Sequence, residues 1–475
     1  MKLSGFVKGL SWLVALNIIV KPLWIFGIDR QLQNTVGPET YGSYFSILSL
    51  SIVLSFIMDV GITNRLNRQL ASGFAADIKK MFWLKCLLSL FYLIIIYAVC
   101  LFSGIEKTEI VLLVCGIQIL TSFLVFFRGL LTAEQKFVKD AWISIIDKLL
   151  MIFIVGSLFY LPFFTTSITL IIFLWIQMAC TAFTVLIAFS LTANIFNKYK
   201  HFSESAFHII QSSLPFIIII LLMSVHNRLD SFLLERMHDN GAYEAGIYAS
   251  AFRLLDAGNM VGYLAASFLV PFVARNLKTT LLIQKIVLNL QHALIVFSVL
   301  TVSFITVFSN WVRELLYPAI ADYASNIIVF TIAVLPAYYL THIYGSLLTA
   351  AGKLKIFIRI IFASVFINII INLFFIPVHG VIACCVAALT SQYICAICCL
   401  ITATKKITIS FSTFSFLIYV MTCLLLLAVF YSGREAGYYP IFLLAGGSII
   451  AALIMFVQTG GFKKTLRSLT TGIHA

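Results

Sequence analysis

Apolar residues fill this chain in long blocks of about twenty residues or more, separated by polar stretches of about ten residues or fewer. The blocks lie near residues 9–28, 41–64, 81–103, 109–131, 141–161, 167–195, 207–234, 244–271, 282–308, 322–350, 355–376, 380–403, 409–431 and 438–458. They lack the strict alternation of a half-buried strand, and each is long enough as a helix to cross a hydrocarbon layer of roughly 30 Å. In lipid every backbone N–H and C=O has to be paired within the protein, which favours helices for such blocks. The pattern predicts an all-α polytopic membrane protein of about 14 transmembrane helices.

Two short sequences recur in the same order. Gly42, Tyr44 and Ser46 return as Gly246, Tyr248 and Ser250 at an offset of 204 residues, and Leu130-Leu131-Thr132-Ala133 with Lys136 returns as Leu347-Leu348-Thr349-Ala350 with Lys353 at 217. Both fit one duplication of about 210 residues. The expected organisation is an N-terminal six-helix lobe over residues 1–200, a C-terminal six-helix lobe over 201–406, and two added helices with a tail over 407–475.

Composition agrees with a lipid setting. The 475 residues are 61% hydrophobic and 11% charged, whereas a soluble domain carries about a quarter charged residues. No stretch between blocks is long enough to fold a core of its own. Lys2 and Lys8 precede an apolar run as in a secretory signal, but no small-residue cleavage site follows and the run reaches Phe26, so it reads as a retained first helix. Nearly all ten cysteines, with Cys395 and Cys398 of a C-x-x-C among them, fall inside apolar blocks. They read as small packing residues rather than metal or redox ligands.

The net charge of +14 has a sidedness. Assigning Lys and Arg to alternate connections puts 23 on the side holding both termini and five on the other, where ten of the 18 acidic residues collect. Positive connections stay cytoplasmic, so both termini are expected there, as an even helix count requires. These bases are scattered over helix ends with no folded module to read a duplex, which argues against nucleic acid as a partner. Anionic lipid headgroups are their ordinary partners.

Eight charges remain inside the blocks: Lys21, Lys148, Arg228 and Arg253, with Asp59, Asp147, Asp230 and Asp256. A charge within the bilayer costs a few kcal/mol, so each needs a partner or a watery cavity. Asp147 adjoins Lys148, Arg228 is two before Asp230, and Arg253 is three before Asp256, so local ion pairing accounts for these six as readily as function does. Arg253 and Asp256 sit roughly 15 Å or more from the outer end of their helix. A guanidinium there suits an anionic group. Lys21 follows Asn17 by one turn beside Pro22. Asp59 either takes up a proton reversibly or pairs with a neighbouring helix. Gln211, Ser212, Ser213, Pro215 and Asn227 make the seventh block irregular, as in broken helices that line cavities. Asn368 and Asn372, one turn apart, read as helix-packing polar groups.

There is no G-x-x-x-x-G-K-[ST] loop and no H-E-x-x-H, so no nucleotide, metal or other cofactor is expected. Transport driven by an ion gradient, the membrane potential or substrate flux fits best.

The residues G-P-E-T-Y-G-S-Y at 37–44, D-V-G-I at 59–62, N-R-L-N-R-Q-L-A at 64–71 and A-G-I-Y-A-S-A-F-R-L at 245–254 resemble the polysaccharide-type flippases, the O-antigen flippase group of the multidrug/oligosaccharidyl-lipid/polysaccharide exporter superfamily. The resemblance implies two six-helix lobes that rock about a central cavity in a bacterial inner membrane. It also implies a lipid-linked oligosaccharide as cargo and polysaccharide-assembly enzymes as possible partners. In related lipid II flippases cavity bases hold a pyrophosphate and the last two helices form a groove for the prenyl tail. Carried over by position, Lys21 and Arg253 match such bases, with Arg228 a third. Asp59 and Asp256 become coupling or gating acids, and Arg65, Arg68, Arg128, Arg275 and Arg359 a cytoplasmic mouth that draws in an anion. The equal number of intramembrane bases and acids departs from a simple cationic cavity.

Three other readings stay open. A drug or cation antiporter of the same superfamily would use the carboxylates, and twelve helices would suit it better. A polysaccharide polymerase or glycosyltransferase would need a large outer loop, and the connection from Glu235 to Tyr243 is among the longest expected there. A membrane scaffold would have no need of Arg253.

Overall fold

A computed structural model describes residues 12, 15–63, 66, 78–105, 107–161, 168–198, 206–277, 279–407 and 413–458. Every regular element among them is a helix. The first, α1, covers residues 15–36 and contains a π-helical turn, Trp24–Asp29. It is followed by α2 (Pro38–Asp59), α3 (Ile78–Phe102), α4 (Thr108–Ala133), α5 (Phe137–Tyr160), α6 (Leu170–Lys198), α7 (Ala206–Met237), α8 (Gly241–Asn276) and α9 (Thr280–Leu316). Then come α10 (Ala324–Ala350, with a break after Ile332), α11 (Leu354–His379), α12 (Val381–Ile407), α13 (Thr413–Glu435) and α14 (Pro440–Gln458). Twelve of these, α2 to α13, are long and apolar enough to cross a membrane. With α1 and α14 they account for the fourteen expected segments. The chain is an all-α, multi-pass membrane protein.

Helices run further than hydropathy predicts, because the pattern marks only the lipid-facing middle of a span and not the turns that continue into the interface. α1 continues to Val36 and meets α2 through the single residue Gly37, at φ 82°. The expected long outer connection between Glu235 and Tyr243 shrinks to three residues, because α7 reaches Met237 and α8 starts at Gly241. Gly241 is required there, since a Cβ would strike the Leu234 and Glu235 carbonyls. The seventh block is not broken: α7 runs continuously through Pro215. One missing N–H is tolerated in a 32-residue helix, as it often is in membrane helices.

Two compact units form: Met1–Ser250 with Ile369–Cys384, and Ala251–Asn368 with Cys385–Ala475. In the first, α4 packs along α6, α2 along α7, and α5 against both α6 and the π-turn of α1. In the second, α9 is the hub for α10, α13 and α14.

The repeated glycines of the first unit meet each other. A Cβ on Gly42 would overlap the Ala242 carbonyl oxygen, and a Cβ on Gly246 would overlap the Pro38 carbonyl oxygen. Pro38 is four residues before Gly42 and Ala242 four before Gly246, so the contact is the same seen from either copy. Lipid supplies no hydrophobic drive for helices to associate, so backbone approach of this kind, through small residues, is what holds them. Gln33 Nε2 of α1 donates to the Gly246 carbonyl of α8 (2.9 Å), and the Ser231 hydroxyl of α7 donates to that of Ser49 on α2 (2.9 Å), which ties the neighbouring helices to the crossing.

Candidate functional site

α1 and α5 bring their polar faces together. On α1, Asn17, Lys21, Trp24 and Ile28 recur at helical spacing and share one face; on α5 the matching set is Asp140, Ser144, Asp147 and Lys148. Asn17 Nδ2 donates to Ser144 Oγ (3.0 Å). One to two turns on, Lys148 Nζ lies 4.6 Å from the centre of the Trp24 ring in a cation–π contact. The π-turn that carries Trp24 starts two residues after Pro22, whose missing N–H already interrupts the helical ladder. Such turns concentrate at functional sites. The Tyr160 hydroxyl donates to the Gly27 carbonyl within this turn (2.7 Å).

Charges in this cluster are mostly matched in pairs. Asp147 holds Lys148 at 3.2 Å, the local pairing anticipated for these neighbours. Arg128, from the C-terminal end of α4, donates Nε to Asp140 Oδ1 (2.7 Å) and Nη2 to Oδ2 (3.4 Å), the two-pronged geometry peculiar to arginine. Lys21 forms no ion pair among the described residues. It lies within electrostatic reach of Arg128 and Lys148 and of one acid, Asp147. Three bases and two acids leave this region with one uncompensated positive charge, and Lys21 carries it.

The remaining expected residues fall elsewhere. Asp59 sits at the end of α2 and is paired, accepting from Lys85 Nζ of α3 at 2.9 Å and from the Thr63 hydroxyl. Lys85, which the assignment of charges to alternate connections places among the cytoplasmic bases, is instead 0% exposed inside α3, where Asp59 of α2 supplies its counter-charge. Its signal was a lone lysine flanked by M-F-W-L and C-L-L, distinct from the solvent-facing Lys79 and Lys80. Asp140, one residue ahead of the apolar block at 141–161, is likewise buried. Asp230 of α7 accepts from Asn372 Nδ2 (2.8 Å) and the Tyr248 hydroxyl (3.3 Å). Asn368 donates to Ser391 (3.4 Å), so both asparagines of α11 act as packing polar groups. Arg228 is half-buried on α7. In the second unit Arg253 and Asp256 lie side by side on α8 at 3.9 Å, close to the outer limit for an ion pair. Of the five arginines expected at the mouth, Arg275 and Arg359 are exposed near helix ends and Arg128 is engaged by Asp140, while Arg65 and Arg68 lie outside the described residues.

The second unit also has a partly open cavity of about 420 Å3 among α9, α10, α12 and α13. Ile295, Val299, Val302, Ile397, Leu400 and Val420 make its wall apolar. Two polar groups of its lining are turned toward one another, Gln291 Nε2 donating to Tyr419 Oη (3.3 Å), and Gln291 Oε1 accepts from the Tyr344 hydroxyl behind the wall. Among the described residues no His, Cys, Asp and Glu cluster suits a metal ion.

This architecture is that of lipid flippases and multidrug exporters. The lipid II flippase MurJ in an inward closed conformation superposes with a TM-score of 0.68 at 15% identity, covering 95% of this chain and 99% of that one. A superfamily transporter from Pyrococcus furiosus gives 0.63 at 14% identity over 85% and 95%, and a MATE transporter bound to MaL6 gives 0.61 at 15% over 84% and 96%. At such identities the likeness speaks for the fold alone. A comparison with curated proteins finds no match. The family profile described as polysaccharide biosynthesis protein matches residues 6–277, more than half the chain, and the chain belongs to that family. It is the family that the motifs at 37–71 and 245–254 resemble.

Proposed function

We propose that this protein is a flippase that moves a prenyl-pyrophosphate-linked oligosaccharide, an O-antigen or capsule repeat unit, from the cytoplasmic to the periplasmic leaflet of a bacterial inner membrane by alternating access. The observation that carries this reading is the uncompensated Lys21 within a cluster of three bases and two acids on α1, α4 and α5. An anion such as pyrophosphate completes that charge balance, and a fixed cation in low dielectric favours it strongly. Arg253, buried on α8 beside Asp256, is the second proposed anion ligand and Arg228, half-buried on α7, the third. Asp256 and Asp59 are proposed to take part in resetting the two lobes, residues 1–200 and 201–406. The exposed Arg275 and Arg359, with Arg65 and Arg68, form the proposed cytoplasmic mouth, and both termini lie on that side. The apolar cavity beside α13 suits part of a prenyl tail, its volume being within the range of small-molecule sites.

The fold shared with MATE transporters supports a second reading, antiport of a cationic compound held by carboxylates. Against it, Asp59, Asp140 and Asp147 each already hold a base of the chain.

The test is the sidedness of the lipid-linked oligosaccharide in source cells lacking the gene, read with a membrane-impermeant sugar-modifying reagent on spheroplasts. Repeat units are expected to stay on the cytoplasmic leaflet and to reach the outer one when the gene is restored. Normal arrival of single units at the outer leaflet without the gene overturns the flippase reading.

A further inference from the structure

At the end of α2 the chain builds a small cage of oxygen atoms. The helix stops at Asp59, then Val60 (φ 41°) and Gly61 (φ 74°) take left-handed backbone conformations. A β-branched residue rarely adopts that conformation, and one that does is held by its surroundings. The reversal leaves the negative end of the helix dipole facing inward. The oxygens are the Asp59 carboxylate, onto which Thr63 folds its hydroxyl and its N–H (3.4 Å), and the Met58 main-chain carbonyl. Into this cage Lys85 inserts its ammonium, 2.9 Å from Asp59 Oδ1 and 3.3 Å from the Met58 carbonyl oxygen. The Phe123 ring lies on a further side, 6.0 Å from Nζ to its centre. Ile62, Ile78 and Met81 nearby are fully buried.

Carboxylate with a helix-terminal carbonyl is an oxygen donor set that binds hard cations. We propose that this cage is a monovalent-cation site occupied by the chain's own Lys85, a tethered cation standing where a diffusible alkali ion would otherwise bind. An ordinary structural ion pair needs only the carboxylate. Here a terminating helix supplies a second oxygen to the same ammonium, and Val60 ends that helix in a left-handed conformation immediately after the carboxylate. The consequence is that the first unit carries its own counter-ion and is indifferent to sodium in the medium. This goes beyond the flippase reading and does not depend on the cargo.

The experiment uses the purified full-length protein and its melting temperature in choline, lithium, sodium and potassium chlorides at equal ionic strength. The wild-type protein is expected to melt at one temperature in all four. Lys85→Met, of similar length but without charge, is expected to melt lower in choline chloride and to regain about 3 °C in at least one alkali chloride, saturably, as a ligand that binds only the folded state does. Adding Asp59→Asn to that variant is expected to abolish the recovery. A folded Lys85→Met indifferent to the cation overturns the proposal, since the pair is then merely structural. So does failure to obtain folded Lys85→Met in any alkali chloride, because the cage then accepts only the tethered amine. A sodium-specific shift of the wild type that Asp59→Asn removes also overturns it, because Lys85 does not then occupy the site.

Discussion

Lys21 and Arg128 are both bases near one end of the same cluster, yet they have different work. Lys21 has no acid of its own, so Lys21→Ala removes a charge the fold does not need. Transport is expected to fall at least tenfold, about 1.4 kcal/mol of lost anion stabilisation, while melting temperature and membrane insertion stay at wild-type values. Arg128→Ala instead strands the buried Asp140 carboxylate. That variant is expected to lose about 2 kcal/mol of stability, measured by thermal unfolding in detergent, and most of the loss should be recovered in Arg128→Ala with Asp140→Ala. The sequence made Lys21 visible because Asn17, Pro22 and a lysine within one apolar block stand out. It hid Asp140 and Lys85, because a charge within about a turn of the edge of an apolar run looks the same whether it reaches back to water or turns inward. What decides is the partner on another helix, far away in sequence: Asp59 for Lys85 lies 26 residues upstream.

Span number, order and approximate limits were legible in the hydropathy pattern, since lipid leaves the backbone so few choices. Helix-to-helix contacts were not, apart from the one marked by repetition. The recurring Gly-x-Tyr-x-Ser turned out to be the crossing of α2 and α8, where neither glycine has room for a Cβ. Gly42→Ala and Gly246→Ala are each expected to push the helices apart, costing about 1 to 3 kcal/mol as overpacked cores do. Gly446→Ala on α14, with open space around it, is expected to leave the melting temperature unchanged. The π-turn of α1 belongs to the same class of hidden feature: Pro22 announced an irregularity but not its position over Lys148.

For the whole chain, the bias of Lys and Arg predicts a sidedness that labelling can check. A single cysteine at Lys353, in the turn between α10 and α11, is expected to react with a membrane-impermeant maleimide only in inside-out vesicles; one at Lys107, just before α4, only in right-side-out cells. The apolar cavity of the second unit offers an independent check, as Val299→Trp is expected to fill it and slow transport several-fold without altering Lys21 or its neighbours. Neither cavity nor charge balance was readable from composition, since both depend on which of many similar faces meet. The glycine crossing bears on how such a chain can change over time. Each copy of the duplicated motif provides, four residues before its own glycine, the carbonyl that fills the space beside the other. A side chain gained at position 42 meets main-chain atoms of 242, and one gained at 246 meets main-chain atoms of 38, so no exchange of the facing side chain makes room for it. Tolerance for change is therefore expected to be lowest where the repeated motif meets itself, main chain against main chain.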